Sequence, residues 1–91
     1  MTEPQPTLML LHGLGATGEV WNPLINVAAW PGRVLAPDLR GHGSSNWTDS
    51  YSFGEMAADV ATLLSSNEDY VVLGHSMGGA VGAALATGFF G

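Results

Sequence analysis

A chain of 91 residues, 46% hydrophobic with 13 glycines, can bury one small core and must turn tightly many times. Arg33 and Arg40 are its only cations against eight Asp and Glu, and the net charge of −6 argues against nucleic acid or an anionic membrane as partner. The absence of cysteine excludes disulfides and thiol chemistry, and no His, Asp and Glu cluster has metal-ligand spacing, so no metal is expected.

Residues 1–6 are polar and Pro-rich and are expected to be a flexible lead-in to one domain over 1–91. They lack a basic region, and the apolar run after them is too short for a signal peptide or a membrane span, so a soluble, cytoplasmic protein is expected. That run, Thr7 to Leu11, fits a strand buried on both faces. A glycine-rich loop, Gly13 to Gly18, follows. Val20, Trp21, Leu24, Ile25 and Ala28 stand at helical spacing and predict a short helix with Pro23 in its first turn. Pro31-Gly32 breaks it.

Arg33 to Ala36 reads as a second strand, stopped by Pro37. The loop from Asp38 to Ser50 carries Gly41, Gly43, three serines before Ser50's neighbour Tyr51, and Asn46. Ser52-x-x-Glu55 is a capping box, and Met56, Val60, Leu63 and Leu64 form the apolar stripe of the helix it opens. Tyr70 to Leu73 is the third strand, and a small-residue helix runs from Ser76 to about Thr87. The order β-α-β-α-β-α has crossovers long enough for parallel pairing. Right-handed crossovers place helices on the faces of that sheet.

The stretch Gly74-His75-Ser76-Met77-Gly78 contains the nucleophile-elbow spacing Gly-x-Ser-x-Gly. That chemistry needs a serine at the apex of a strained strand-to-helix turn. Glycines must flank it where strand and helix pass closely. The competing reading is a βα turn with an ordinary N-cap serine. A second rival comes from Gly13-x-Gly15-x-x-Gly18, which matches the dinucleotide fingerprint, with Asp38 near the place of a ribose-binding acid. Against it, Trp21 and Pro23 imply a helix that starts beyond Gly18, away from any pyrophosphate.

Three patterns stand in order: Leu10-Leu11-His12-Gly13-Leu14-Gly15, Pro37-Asp38-Leu39-Arg40-Gly41-His42-Gly43-Ser44-Ser45, and Gly74-His75-Ser76-Met77-Gly78-Gly79. Together they resemble the amino-terminal half of the α/β-hydrolase fold family, in its cofactor-free branch of serine esterases and C–C-bond hydrolases. The resemblance implies a partial, three-layer sheet of three parallel strands in spatial order 2-1-3. It implies hydrolysis of a small-molecule ester-like bond through a seryl acyl-enzyme, without a cofactor. Ser76 would be the nucleophile, and the backbone N–H groups of Leu14 and Met77 the oxyanion donors. His12 and His42 would shape loops through ring bonds to backbone, and Asp38 would order a loop by binding N–H groups or Arg40.

In that family the acid and the histidine follow the nucleophile along the chain. Fifteen residues follow Ser76, and none is Asp, Glu or His. The expectation is therefore an incomplete chain, nearly inactive alone, whose natural partner is the missing carboxyl-terminal portion. Phe89 and Phe90 would lack the elements they pack on, and the third strand would have an unpaired edge. The non-enzyme alternative is an inactive fragment or interaction module.

Overall fold

The structure is a computed structural model that describes residues 5–88. Phe89, Phe90 and residues 1–4 of the expected lead-in lie outside the described residues. Strand β1, Thr7–Leu11, is buried along its whole length and forms the middle of a three-stranded sheet. Val34–Leu35 (β2) and Tyr70–Gly74 (β3) flank it in parallel, in spatial order β2-β1-β3. Leu8 stands opposite Val34 and Val71, and Met9 opposite Leu35 and Val72. The expected parallel half-sheet is thus the observed one. Strand β2 is shorter than its apolar run, because Ala36 lies against Gly18 instead of continuing the ladder and Pro37 has no N–H to give.

Side chains alternate across the sheet, so Met9 and Leu11 share a face with Leu35, Tyr70 and Val72. Helix α2, Phe53–Ala61, and helix α3, Met77–Thr87, cover that face and pack on each other. Met56, Ala57 and Val60 meet Val81 and Leu85 there, together with Leu39 from the loop after β2. The capping box forms as expected: the Ser52 hydroxyl accepts the Glu55 N–H, and the Glu55 carboxylate accepts the Ser52 N–H.

The apolar stripe of α2 does not run through to Leu64 in one helix. Thr62, Leu63 and Leu64 donate to the carbonyls of Asp59, Val60 and Ala61, three residues back. This tighter winding turns Leu63 out to solvent while Leu64 still packs on the core.

The first crossover also departs from its stripe. A 3-10 turn, Gly18–Trp21, precedes helix α1, Asn22–Ala28, which has Pro23 in its first turn. No residue of α1 is buried, and Val20, Leu24 and Ala28 face solvent. Trp21 is half-buried, its indole nitrogen enclosed without an acceptor among the described residues. Because α1 packs on the 3-10 turn and not on β3, one face of β3 stays bare: Val71 is 45% and Leu73 44% exposed. The expected two-face burial of β1 is observed, whereas β3 is covered on one face only.

One carboxylate ties the three strand entries together. Glu68 accepts from Arg33 Nη2 at 2.7 Å, from the Thr7 hydroxyl and from the Ser65 N–H at 2.9 Å. Foremost Arg33, then Thr7 and Ser65, hold the Glu68 carboxyl down from its ordinary 4.5 to about 2. Glu55 is held to about 2 by the Ser50 and Ser52 hydroxyls and the Ser52 N–H. A carboxyl lowered in the folded state stabilises above its ordinary value, and that contribution disappears as pH falls toward the folded value. Stability by circular dichroism should therefore decline between pH 4.5 and about 2. Glu68→Gln should be less stable at neutral pH and should show a shallower acid limb over that range.

Candidate active site

The junction of β3 and α3 is set by backbone contact. A Cβ at Gly74 would lie 2.2 Å from the Gly78 carbonyl oxygen, and one at Gly78 would lie 2.1 Å from that of Leu11. Only glycine permits this approach, which brings the start of α3 onto the carboxyl end of β1. The two residues left to make the turn are His75 and Ser76. Ser76 takes φ 57°, ψ −118°, outside the regions open to a relaxed L-residue. Bonds on either side hold it there: His75 N–H to the Leu11 carbonyl at 3.0 Å, Gly78 N–H to that of His75 at 2.9 Å, and Gly79 N–H to that of Ser76 at 2.8 Å. The Ser76 side chain caps nothing, and the residue is exposed. An ordinary N-cap serine would instead have a side-chain bond to the helix N–H groups and extended backbone.

The loop leaving β1 meets this turn. Gly13 packs beside it, a Cβ there falling 3.4 Å from that of Ser76. The Ala16 N–H donates to the Gly13 carbonyl at 3.1 Å, and Gly15 has φ 81°. Gly13 to Ala16 is therefore a type II turn with glycine at its third position. Among the described residues, neither the Leu14 N–H nor the Met77 N–H donates to a protein acceptor.

Two imidazoles lock this loop to the one after β2. His12, fully buried, accepts the Leu39 N–H at Nε2, 2.9 Å, so its hydrogen is on Nδ1, 2.8 Å from the Gly13 carbonyl. His42 returns the arrangement. It accepts the Gly15 N–H at Nε2, 3.0 Å, and its Nδ1 lies 3.0 Å from the Arg40 carbonyl. The two rings stand 4.9 Å apart. Both nitrogens of each ring are thus used by backbone, as the loop-shaping reading expects.

Asp38 adds a third clasp, accepting the Gly18 N–H at 2.7 Å and the Ser44 N–H and hydroxyl at 2.9 and 3.0 Å. The Ser44 and Gly18 N–H groups hold its carboxyl below the ordinary carboxylate range. Its expected alternative partner, Arg40, binds Asp59 and Glu55 instead. The local structure counts against the dinucleotide reading: the Gly15 N–H, where that fingerprint brings backbone to a pyrophosphate, is taken by His42, and Gly18 opens a 3-10 turn with the helix beginning only at Asn22.

These loops enclose an open cleft of about 550 Å³. Leu14, Ala16, Met56, Met77, Trp47 and Tyr51 give it apolar walls, and among the described residues no Asp, Glu, Lys or Arg lines it. Leu14 and Met77 are therefore brought into one site. Ser76 stands at the adjoining exposed turn and is not itself a wall of the cleft, and Trp21 lies elsewhere. The sequence reading missed Trp47, which is 83% exposed at the cleft, along with Tyr51 and Met56. The available signal was an aromatic in a glycine- and serine-rich loop, where no core packing accounts for it.

A three-stranded parallel sheet in the order β2-β1-β3 with helices α2 and α3 on one face has the form of a partial α/β-hydrolase fold. The chain belongs to the alpha/beta hydrolase family, whose model matches residues 8–91. It is 42% identical over 85 residues to the magnesium-chelatase 30 kDa subunit of Rhodobacter capsulatus, covering 89% of this chain and 30% of that protein. It is 36% identical to the putative carbamate hydrolase RutD of Escherichia coli K12, again over 89% of this chain and 32% of the relative. The solved esterase Rv0045c of Mycobacterium tuberculosis superposes with a TM-score of 0.77 at 31% identity, over 93% of this chain and 31% of that one. The chain spans about a third of the length of the relatives it matches.

The close passage can be tested directly. Gly74→Ala and Gly78→Ala should each cost more than about 3 kcal/mol in a urea melt, the upper end for overpacking, because the opposing atoms are backbone. Gly79→Ala is the control. Its Cβ meets nothing closer than 3.6 Å, and stability should hold or rise by up to about 1 kcal/mol.

Proposed function

We propose that these residues form the nucleophile and oxyanion part of a serine hydrolase that cleaves a carboxylic ester or a related acyl or C–C bond through a seryl acyl-enzyme. The observation that carries this reading is the backbone of Ser76, φ 57° and ψ −118°, which leaves an uncapped, exposed hydroxyl on the turn next to Met77, a wall of the cleft. Strain of this kind costs about 1–3 kcal/mol and persists only where its surroundings over-determine it. In the proposed reaction Ser76 Oγ attacks the substrate carbonyl carbon. The carbonyl oxygen becomes an oxyanion and is received by the Leu14 and Met77 N–H groups. Collapse expels the alcohol and leaves the acyl group on Oγ, from which water removes it.

The cleft suits substrates that are uncharged around the reacting bond. No side chain there offers a counter-charge, and the chain's −6 repels anions. No cofactor enters the scheme.

The attacking hydroxyl must lose a proton, and this segment offers no base. His12 and His42 have both ring nitrogens committed to backbone. Among the described residues no hydrogen bond joins the ring of His75, which adjoins Ser76, to the Ser76 hydroxyl, though both side chains lie near Gly13. The 91 residues alone should therefore be nearly inactive toward 4-nitrophenyl acetate, far below the turnover of a whole enzyme. Oxyanion donors by themselves sustain roughly 10³ over water. A slow acetyl transfer should still be detectable by mass spectrometry of the Ser76 peptide and should vanish in Ser76→Ala. Acetyl found only at other positions would overturn the assignment. Turnover near ~10 s⁻¹, ordinary for a whole enzyme, would mean that one of the three histidines is a base after all.

A further inference from the structure

We propose that His42 is a positioning residue that keeps the Leu14 carbonyl turned away from the oxyanion donor at the Leu14 N–H, acting through the Gly15 N–H that its Nε2 accepts. The proposal rests on the reading of Leu14 as an oxyanion donor and assigns the residue that keeps a carbonyl dipole from facing it. Peptide planarity forces each C=O and the N–H of the next residue to point in opposite directions. The Gly13–Leu14 peptide is gripped at its oxygen by the Ala16 N–H at 3.1 Å and by His12 Nδ1 at 2.8 Å. Its other end, the Leu14 N–H, is thereby turned the opposite way.

The next peptide, Leu14–Gly15, is the centre of the type II turn. It is the unit that rotates when such a turn converts to type I. Glycine at position 15 tolerates either form, so the sequence leaves this rotation open. His42 closes it. In the observed form the Gly15 N–H meets a ring lone pair at 3.0 Å. In the rotated form the Leu14 carbonyl oxygen would face that lone pair instead and repel it.

The consequence for chemistry is direct. Leu14, Gly15 and His42 all line the cleft. A rotated peptide would put the negative end of a carbonyl dipole into the wall where anionic charge is proposed to develop. His42 can act as a one-way stop because its own orientation is fixed, with Nδ1 at the Arg40 carbonyl and the ring beside that of His12. His12 grips a neighbouring peptide, but it is fully buried, and its removal would orphan the Leu39 N–H. The half-buried His42 is the residue whose effect separates from folding.

The test uses the ¹⁵N-labelled 91-residue chain with His42→Leu, which removes the acceptor, and His42→Gln, which returns an amide oxygen. Three quantities are read: Gly15 amide exchange, the residual dipolar coupling of the Gly15 N–H, and the rate and half-saturation of Ser76 acetylation by 4-nitrophenyl acetate. In His42→Leu the Gly15 amide should exchange at least about 10-fold faster and the Gly15 coupling should change. The β1 and β3 amide shifts should stay in place, which excludes general unfolding. Maximal acetylation should fall by up to about 10², the scale of a misplaced group, with half-saturation unmoved. His42→Gln should restore all three. Unchanged Gly15 exchange and Gly15 coupling in His42→Leu would overturn the proposal, as would altered amides with an undiminished acetylation rate. If the unmodified chain shows no acetyl on Ser76, the function reading fails on its own. The two amide measurements then still decide whether His42 sets the turn.

Discussion

The passage of α3 over the carboxyl end of β1 is the constraint on which the site depends. Gly78 rests against the Leu11 carbonyl and Gly74 against that of Gly78. With those three backbones in contact, the chain has only His75 and Ser76 with which to reverse from strand to helix. The positive φ at Ser76 follows from that geometry. The same contact decides what Ser76 faces. Strand β1 is central, so its exit loop, Gly13 to Ala16, must leave beside the turn, and Leu14 and Met77 reach one cleft from two different strand ends.

What keeps the strain in place is packing remote from the turn. Val81 and Leu85 are buried against Met9, Leu11, Met56 and Val60, and they fix α3 along its length. A relaxed φ at Ser76 would swing the helix off that cluster. Burying one such aliphatic side chain contributes about 1.5–3 kcal/mol, comparable with the whole cost of the strained residue. The turn is therefore held from the core outward. The loops are held differently, by neutral imidazoles and one carboxylate accepting backbone N–H groups. A chain with two cations, both committed to ion pairs, has few charges to spend on its loops. The cleft is uncharged as a result.

Much of this was legible because the relevant signals are local. The continuous run Thr7 to Leu11 marks a central strand, Ser52 and Glu55 mark a helix start, and Gly74 and Gly78 mark a close approach. Each expresses a rule that operates within a few residues. The misreadings came where tertiary packing overrides a local pattern. Leu63 fits the α2 stripe, yet the 3-10 closing turn, with the Thr62 hydroxyl on the Asp59 carbonyl, rotates it outward. Val20 and Leu24 fit a buried face, but α1 packs on the short 3-10 turn beside it and leaves them in solvent. Val71 and Leu73 look like core until the position of α1 is known. The cleft was the least legible part. Trp47, Met56 and Leu14 are separated along the chain, and no spacing rule joins a loop aromatic to a helix methionine.

Arg40 illustrates why pairings between loops escape a sequence reading while their anchor points do not. Asp38 two residues earlier is the nearer carboxylate in sequence, and ion pairing alone would join them. The structure gives Asp38 three neutral donors and turns Arg40 to Asp59 and Glu55 on α2. The choice follows from competition for N–H groups. Gly18 and Ser44 lie in turns without strand partners, and an unmet backbone donor costs about as much as a lost hydrogen bond. A guanidinium can find a carboxylate elsewhere on an acidic surface, but a backbone N–H fixed in a turn cannot move to one. Asp38 therefore goes to the groups with no alternative. That ties the 3-10 turn to the loop after β2, beside the two imidazoles that join the same pair of loops. Neutral donors that cannot relocate, rather than opposite charges, decide how this site is assembled.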